Sequence, residues 1–265
     1  MILEKILMRL FGYLSFHNYG NQLFLRSEKN LVKEQNQKFL ILGFDRGTGL
    51  KKLNSVLEDI YGVSYTEKNG MWSEHLVLFA SIAESDHTIN NILEIGTFNG
   101  ETARILSALF PSSQILTVDL PFAEIIKSNM YQYETQDSKL ILKRDENLKP
   151  LSNVKFLEIN SLSLINTTTN FDLIWIDGDH SYPIASIDIA NAVRILNRHG
   201  IGICDDVYLK AEEGQVDGRS KASIETLRSL NSAGIINYTL LHKRIGGFYN
   251  FPSLNKKYLG IITKK

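Results

Sequence analysis

An internal disulfide, a net charge and a long apolar run are all absent from this chain of 265 residues. Its single cysteine, Cys204, excludes a disulfide framework and fits a reducing compartment, so we expect a cytoplasmic protein. Lysine plus arginine and aspartate plus glutamate number 29 each, so no overall field attracts nucleic acid or anionic lipid. We therefore predict a globular protein without a nucleic-acid partner.

The first segment, residues 1–12, has apolar residues at positions 2, 3, 6, 7, 10 and 11, which is helical spacing. It is too short to span a bilayer, and Glu4, Lys5 and Arg9 interrupt it. It also has no clear small-residue cleavage site of a signal peptide. We predict no membrane span, and an amphipathic helix that packs on the domain or on a second subunit of a homo-oligomer.

The pattern of the chain changes near Asn90. Residues 1–85 are mixed helical and irregular, with a glycine-rich break at Arg46-Gly47-Thr48-Gly49, and predict an N-terminal appendage or cap. Residues 86–265 alternate short apolar runs with helical stretches, which is typical of a mostly parallel sheet in a single domain.

Seven apolar runs predict seven strands, and four intervening stretches predict helices. The strand candidates are residues 92–95, 115–118, 154–159, 173–176, 201–204, 238–241 and 258–262. The helix candidates are residues 101–109, 122–131, 184–196 and 222–230. The segment 243–249 reads as a turn within an antiparallel closing pair. The polar segment 128–153 is long for a connection and is expected to carry a short helix or to fold over the site. The predicted fold is a Rossmann-like α/β sheet with an antiparallel closing strand and helices on both faces.

The first strand and the turn after it carry a cofactor signal. In Ile92-Leu-Glu94-Ile-Gly96-Thr-Phe-Asn-Gly100, two glycines let the backbone approach a ligand closely. Glu94 stands within a buried strand, where an apolar residue is the usual choice. Asp119 ends the next strand, where an acid can accept hydrogen bonds from both ribose hydroxyls.

The spacing of these glycines argues against a dinucleotide. The last glycine of that fingerprint is replaced by Ala103, and no Gly-Lys-Ser/Thr is present to suggest a P-loop. A cofactor with a ribose but no pyrophosphate suits the residues better, and S-adenosylmethionine is such a molecule. Glu94 would then hold its cationic amino-acid moiety through ordered water or backbone groups, and Asp119 its ribose.

A second signal is a group of carboxylates at the ends of two apolar strands. The stretch Phe171-Asp-Leu-Ile-Trp-Ile-Asp177-Gly-Asp179-His180 ends one strand, and Asp205-Asp206 ends the next. Carboxylates held together without a lysine or arginine raise one another's pKa, so a cation would be needed to neutralise them. Oxygen ligands favour magnesium, with manganese or calcium as alternatives, over zinc. We predict a divalent metal site on Asp177, Asp205 and Asp206.

These motifs resemble those of the class I S-adenosylmethionine-dependent methyltransferases. Within that class they are similar to the metal-dependent branch of catechol and caffeoyl-CoA O-methyltransferases and of the sugar O-methyltransferases of macrolide and aminocoumarin biosynthesis. The resemblance runs from Trp72 to the C-terminus. It implies that Trp72 to Glu74 close the pocket, that Asp177, Asp205 and Asp206 bind the cation, and that the cofactor contacts are Glu94, Gly96, Thr97, Gly100, Thr102, Asp119, Asn160 and Ser161.

The expected reaction is methyl transfer to a hydroxyl that a general base activates. His180 occupies the place of a lysine in the catechol-type enzymes, and its ordinary pKa of about 6.5 suits a base. Asp179 stands where the sugar enzymes use an acid, so both residues remain candidates. The usual Gly-Gly before the fifth strand is His199-Gly200 here. No residue marks the acceptor, which we expect to be a small molecule or a sugar.

Three other readings share parts of this pattern. An NAD-dependent oxidoreductase would share the fold and Asp119. However, this chain lacks the third glycine that such an enzyme would need. A nucleotide-sugar glycosyltransferase could use Asp177-Gly-Asp179 as its metal motif, yet it would not need the glycine turn after Glu94. A non-catalytic binding module on the same fold is the third reading.

Overall fold

The computed structural model describes residues 18–121, 124, 134–209, 220–246 and 256–265. The α-helices in this part, α1 to α7 in chain order, are Asn18–Ile41, Arg46–Tyr61, Glu74–Ala83, Glu101–Leu109, Glu134–Leu148, Ile184–Ile195 and Ala222–Ser232. The strands, β1 to β7, are Asn91–Ile95, Gln114–Asp119, Val154–Glu158, Phe171–Ile176, Leu196–Tyr208, Ile236–His242 and Lys257–Lys264. A short 3-10 helix, Ser161–Asn166, follows β3.

The seven strands form one sheet in the order β3-β2-β1-β4-β5-β7-β6. Strand β1 pairs in parallel with β2 and β4, and parallel pairing extends to β3 and β5 at either side. Strand β7 runs antiparallel between β5 and β6. The predicted Rossmann-like fold is confirmed. As a consequence, the carboxyl ends of β1 to β6 and the start of β7 all lie along one edge of the sheet.

The predicted segments agree with this sheet. Six of the seven apolar runs lie within strands, the run 154–159 extends one residue beyond β3, and α4, α6 and α7 occupy three of the predicted helices. The polar segment 128–153 carries α5, which has 15 residues and is longer than expected. The amphipathic pattern of residues 1–12 lies outside the described residues, and so does the helix predicted over 122–131, apart from residue 124. In the described ranges, no helix has both the length and the apolar character needed to cross a bilayer.

The core has two layers, one on each face of the sheet. In β4, Leu173 and Trp175 face the layer that the N-terminal helices and α4 cover. Ile174 and Ile176 point to the opposite layer, which α6 and α7 cover. This alternation follows from the two-residue period of a strand. Both faces of β4 are therefore buried, which explains why its sequence is continuously apolar rather than alternating.

The start of α2 corrects one expectation. The segment 46–49 was expected to be a glycine-rich break, but it forms the first turn of α2, and the Asp45 carboxylate accepts a hydrogen bond from Thr48 N at 2.5 Å. Gly49 faces α3, where an added Cβ would lie 2.0 Å from Ser81 Oγ and 2.8 Å from Val77 O. This glycine therefore allows two helices to approach closely instead of ending one.

The N-terminal helices are joined to the sheet by buried polar contacts. The Gln35 side chain accepts a hydrogen bond from His242 N at 3.0 Å and donates one to His242 O at 2.9 Å, as a neighbouring strand would. The Arg46 guanidinium forms a two-bond ion pair with Glu74, with both distances 2.7 Å. The helices thus cover one face and the β6 edge of the sheet. The division into units 1–85 and 86–265 stays a prediction.

Candidate active site

A β-bulge at the end of β5 brings two neighbouring acids to the same place. Successive side chains of a regular strand point to opposite faces. The pairing of β5 with β7 loses its register between Cys204 and Val207, and Asp206 has a φ of +46°. Asp is among the residues that tolerate this left-handed conformation. Because of the bulge, Asp205 and Asp206 both contact the ammonium group of Lys243.

The glycine turn after β1 packs directly against the loop after β4. Gly96 has a φ of +99°, and an added Cβ would lie 2.2 Å from Asp177 O. Asp177 N in turn donates a hydrogen bond to Ile95 O at 2.8 Å. Any side chain at position 96 would separate the two loops. The predicted cofactor glycine is therefore needed for the fold of the site, and it leaves the neighbouring backbone open to a ligand.

Asp119 connects the strand ends of β1 and β2. Its two carboxylate oxygens accept hydrogen bonds from Phe98 N and from Leu120 N, each at 2.8 Å. Phe98 lies in the glycine turn and has a φ of +48°. Each carboxylate oxygen can accept more than one hydrogen bond. Asp119 thus holds the turn in place and retains acceptor capacity toward the cleft.

Glu94 is completely buried beneath this turn. Its Oε2 accepts a hydrogen bond from Thr117 Oγ1 at 2.5 Å, and Thr97 Oγ1 lies 2.6 Å from the same hydroxyl. Among the described residues, its Oε1 has no hydrogen-bond partner. Burial, helped by the nearby charge of Asp119, raises the pKa of Glu94 to about 8 against the opposing Thr117 hydrogen bond. An unpartnered buried oxygen of this kind suits a ligand or a bound water.

Glu94 should make the ligand-free protein less stable in alkaline solution. Because the pKa is raised from 4.5 to about 8 on folding, its contribution is fully present below pH 4.5 and is lost as the pH rises through 8. The loss reaches at most about 1.4 kcal/mol per pH unit in that window. Glu94→Gln should flatten the fall in melting temperature between pH 6 and about 8. Equal slopes of melting temperature against pH for the wild type and Glu94→Gln would contradict the burial argument. Glu58→Gln on the surface serves as the control and should keep the wild-type slope.

Four other residues were predicted to contact the cofactor, and two of these four line the cleft. Asn160 and Ser161 follow β3 and line the cleft, and Asn160 Oδ1 caps the 3-10 helix by accepting from Leu162 N at 3.0 Å. Gly100 packs against α5, where an added Cβ would lie 3.2 Å from Leu148. In the described part of the chain, Gly100 and Thr102 do not line the cleft. Their cofactor role stays a prediction.

The cleft lies along the carboxyl edge of the sheet and has a volume of about 440 Å³. It collects predicted residues from the ends of five strands together with residues that the sequence did not single out. The predicted lining residues are Gly96, Asp119, Asn160, Ser161, Asp177, Asp179, His180 and Asp206. Trp72 stacks on Tyr65 with ring centroids 6.4 Å apart, and it belongs to the N-terminal layer instead of the described cleft lining.

His180 and Asp179, the two candidate bases, differ in their surroundings. His180 Nε2 lies 3.5 Å from Asp177 Oδ1 and 4.0 Å from Asp206 Oδ2, and its side chain is 29% exposed. A carboxylate beside an imidazole orients the ring and stabilises its charged form. Asp179 Oδ1 instead accepts a hydrogen bond from Ser181 N at 2.7 Å, which is a local turn contact. The geometry favours His180 as the group that can exchange a proton.

Two lysines that the sequence analysis missed reach the acidic cluster. Lys243 Nζ donates to Asp205 Oδ2 at 2.5 Å and to Asp206 Oδ1 at 2.6 Å. Lys257 Nζ donates to the second oxygen of Asp206, also at 2.5 Å. The premise that no lysine lies near these acids was wrong. Lys243 follows β6 and Lys257 begins β7, so the rule that predicted the acids at this edge also predicts the lysines there.

The acids and lysines of this cluster shift one another's pKa values. Burial and the nearby Asp205 raise the pKa of Asp177 well above its ordinary value. Burial acts in the same direction on Asp205, but Lys243, His180 and the hydrogen bond with Asp177 together outweigh it and lower the pKa of that carboxyl. Burial disfavours the ammonium of Lys243, yet Asp205 and Asp206 outweigh it and raise its pKa. Lys243 is therefore charged and Asp205 ionised over the whole physiological range.

A divalent cation fits this arrangement poorly. One ligand atom each of Asp177, His180 and Asp205 lies within 4.8 Å of the others, which is close enough to surround an ion. However, Lys243 already bridges the two acids of the bulge, and an ammonium and a metal repel each other. The metal assignment therefore loses the argument that motivated it, and no chemical step is assigned to a metal here.

The cleft and sheet can be compared with known proteins. Residues 93–207, a little under half of the chain, match a family model described as a methyltransferase domain. The match extends from β1 to the bulge of β5, so it includes Asp119, Asp177, Asp205 and Asp206 at the ends of three strands. A search of curated protein sequences finds no significant match.

Solved structures share the fold at low sequence identity. The O-methyltransferase TomG from Streptomyces achromogenes, in complex with SAM, is 13% identical over 88% of this chain and 98% of its own, with a TM-score of 0.52. The SAH-bound methyltransferase PaMTH1 of Podospora anserina is 19% identical over 81% of this chain and 88% of its own, with a TM-score of 0.51. An O-methyltransferase from Bacillus cereus in complex with SAH is 17% identical over 81% and 91%, with a TM-score of 0.50. Residues 93–207 thus match a methyltransferase domain, and these solved structures share the fold of the sheet.

Proposed function

We propose that the protein transfers a methyl group from S-adenosylmethionine to a hydroxyl of a small-molecule or sugar acceptor. One observation carries this proposal. A single cleft places the glycine turn and Asp119 on one side and His180 on the other. The first pair suits a nucleoside with a charged amino-acid tail, and the imidazole suits removal of a proton from an alcohol. The solved O-methyltransferases of the same fold agree with this chemistry.

The donor side of the cleft fits the cofactor on the structure's own features. Asp119 retains acceptor capacity for two ribose hydroxyls, and the turn at Gly96 has no side chain to obstruct a ligand. Within the described part of the chain, one Glu94 oxygen beneath the turn has no hydrogen-bond partner, and a cationic amino group or its water would be accepted there. When bound, S-adenosylmethionine supplies an electrophilic methyl group on a positively charged sulfur.

The acceptor side is assigned to the residues after β4 and at the bulge. His180 takes the proton of the acceptor hydroxyl, Asp177 orients the ring, and the Asp206 carboxylate, 4.0 Å from Nε2, stabilises the imidazolium that forms. Tyr208 and Lys257 line the same end of the cleft and offer an O–H and an N–H to further oxygens of the acceptor. This polar lining favours an acceptor with several hydroxyls, such as a sugar. Asp179 is the alternative base.

A glycosyltransferase reading has less support. It would use Asp177 and Asp179 together on a metal, but the group of close ligand atoms joins Asp177 to His180 and Asp205 and leaves Asp179 out. Calorimetry with S-adenosylmethionine, NAD and a UDP-sugar separates the three readings directly. We expect binding of S-adenosylmethionine alone, and tight binding of UDP-sugar without it would contradict the proposal. Labelled methyl donor with a panel of hydroxyl acceptors then identifies the substrate class.

Asp119→Ala should weaken binding of S-adenosylmethionine roughly tenfold to a hundredfold, because hydrogen bonds to a charged group contribute about 1.5–3 kcal/mol. Isothermal titration with purified protein measures this change. Asp172→Ala is a matched control, since Asp172 also holds two backbone N–H groups, those of Asn90 and Asn91, at the opposite edge of the sheet. Its cofactor affinity should equal that of the wild type. Unchanged affinity in Asp119→Ala would remove the ribose assignment.

A further inference from the structure

The two lysines of the acidic cluster are held from their backbones as well as their side chains. Lys243 N donates to Lys257 O at 3.0 Å, which ties the end of β6 to the start of β7. Lys243 O accepts from Glu74 N at 2.9 Å, so the first turn of α3 fixes it from the other side. Lys243 therefore occupies a defined position, in contrast to a surface lysine with a mobile side chain.

Burial makes the pairing of Lys243 obligatory. The side chains of Lys243, Asp205 and Asp206 are 7%, 4% and 10% exposed. An ionised group that is this buried is strongly disfavoured unless opposite charges accompany it. Removing the ammonium to make room for another cation would require the lysine side chain to leave its two carboxylates. The backbone contacts to Glu74 and Lys257 fix the position from which the side chain would have to turn away.

The charge of the two lysines equals that of a divalent metal ion. Asp177, Asp205 and Asp206 carry three carboxyl groups, and Lys243 and Lys257 bring two positive charges to them. Lys243 lies between the two acids of the bulge, where it links Asp205 Oδ2 to Asp206 Oδ1. A bridging cation between two carboxylates would make the same two contacts. The cluster is therefore neutralised to the same degree without a metal.

We propose that Lys243 and Lys257 take the place of a divalent cation, and that the protein transfers methyl groups without a metal. Lys243 is a positioning residue, since it orients Asp205 and Asp206 from beneath. Lys257 lines the cleft and is 42% exposed, so its ammonium can also donate a hydrogen bond to an oxygen of the acceptor. The activity part of this proposal rests on the proposed methyltransferase function, whereas the metal-binding part does not.

The direct test measures Mn²⁺ binding to the wild-type protein by electron paramagnetic resonance, in parallel with methyl transfer in the presence of EDTA. We expect no binding in the micromolar range and activity within twofold of the untreated enzyme. Stoichiometric micromolar binding would overturn the proposal, as would loss of activity in EDTA that Mg²⁺ restores. A protein that shows no transfer under any condition would contradict the proposed function, and the Mn²⁺ titration would still decide the present inference.

Variants provide a second readout that a purely structural role would not change. Lys243→Met should leave Asp205 and Asp206 without their bridge and raise the affinity for Mn²⁺ at least tenfold, while Lys243→Arg should not. A folded Lys243→Met protein without this increase contradicts the proposal. If that variant does not fold, the more exposed Lys257→Met gives the same comparison, with the same interpretation of either result. Lys52→Met, a surface lysine paired with Glu84, is the control that should leave Mn²⁺ affinity and activity unchanged.

Discussion

His180→Ala should lower kcat by roughly 100-fold to 10,000-fold, the usual contribution of a general base. The imidazole is partly exposed in the cleft and lies 3.5 Å from Asp177 Oδ1, which orients it, and 4.0 Å from the Asp206 carboxylate, which can stabilise its positive charge. The donor side of the cleft, at Gly96 and Asp119, does not depend on this side chain. The affinity for S-adenosylmethionine should therefore stay within about twofold of the wild type. Single-turnover kinetics with labelled methyl donor separates the chemical step from binding.

Two further variants make this test specific. Asp179→Asn should have the smaller effect, because the Asp179 carboxylate is engaged by Ser181 N. The reverse order of effects would move the role of base from His180 to Asp179. His199→Ala is the matched histidine control, since His199 is exposed in β5, before the apolar part of that strand. It should leave kcat unchanged.

Arg46→Met should destabilise the protein by about 3–5 kcal/mol, the usual cost of leaving one charge of a buried ion pair without its partner. Glu74 is fully buried and receives both bonds of the Arg46 guanidinium. Gln35 Nε2 also donates to it, at 3.1 Å, but a neutral amide does not compensate the charge. Urea unfolding at neutral pH measures the loss as a lower midpoint with an unchanged slope.

An exposed ion pair in the same layer is the control. Lys52 and Glu84 lie 3.3 Å apart and are 38% and 37% exposed, so Lys52→Met should cost at most about 1 kcal/mol. Equal losses of unfolding free energy in Arg46→Met and Lys52→Met would show that the buried ion pair stabilises the protein no more than the exposed one. Because Glu74 N also holds Lys243 O, Arg46→Met should in addition lower the methylation rate at temperatures where the protein is still folded.

The sheet and its functional edge could be predicted because their signals are local. The apolar runs fix the strands, and the carboxyl ends of parallel strands necessarily meet at one edge. This argument placed Gly96, Asp119 and His180 in one cleft before any contact was known. The bulge in β5 could not be foreseen, because the doublet of Asp205 and Asp206 has no marker for a positive φ.

Contacts between distant parts of the chain were harder to predict. Lys243 and Asp205 are 38 residues apart, and their pairing depends on β7 returning between β5 and β6. The antiparallel pairing of β6 with β7 was predicted, but the lysines that flank their connection, Lys243 and Lys257, were not connected with the acids. The partnership of Arg46 with Glu74 was missed because Gly47 and Gly49 suggested a break in the helix. Packing of α2 against α3 explains Gly49, and single-sequence propensity does not include that packing.

The two hydrogen bonds between Gln35 and the backbone of His242 join residues 207 positions apart. During synthesis, helix α1 leaves the ribosome long before its partner strand exists. The side of α1 that faces the sheet therefore stays uncovered until almost the whole polypeptide has been made. Completion of the β6 edge is thus a late event in biogenesis.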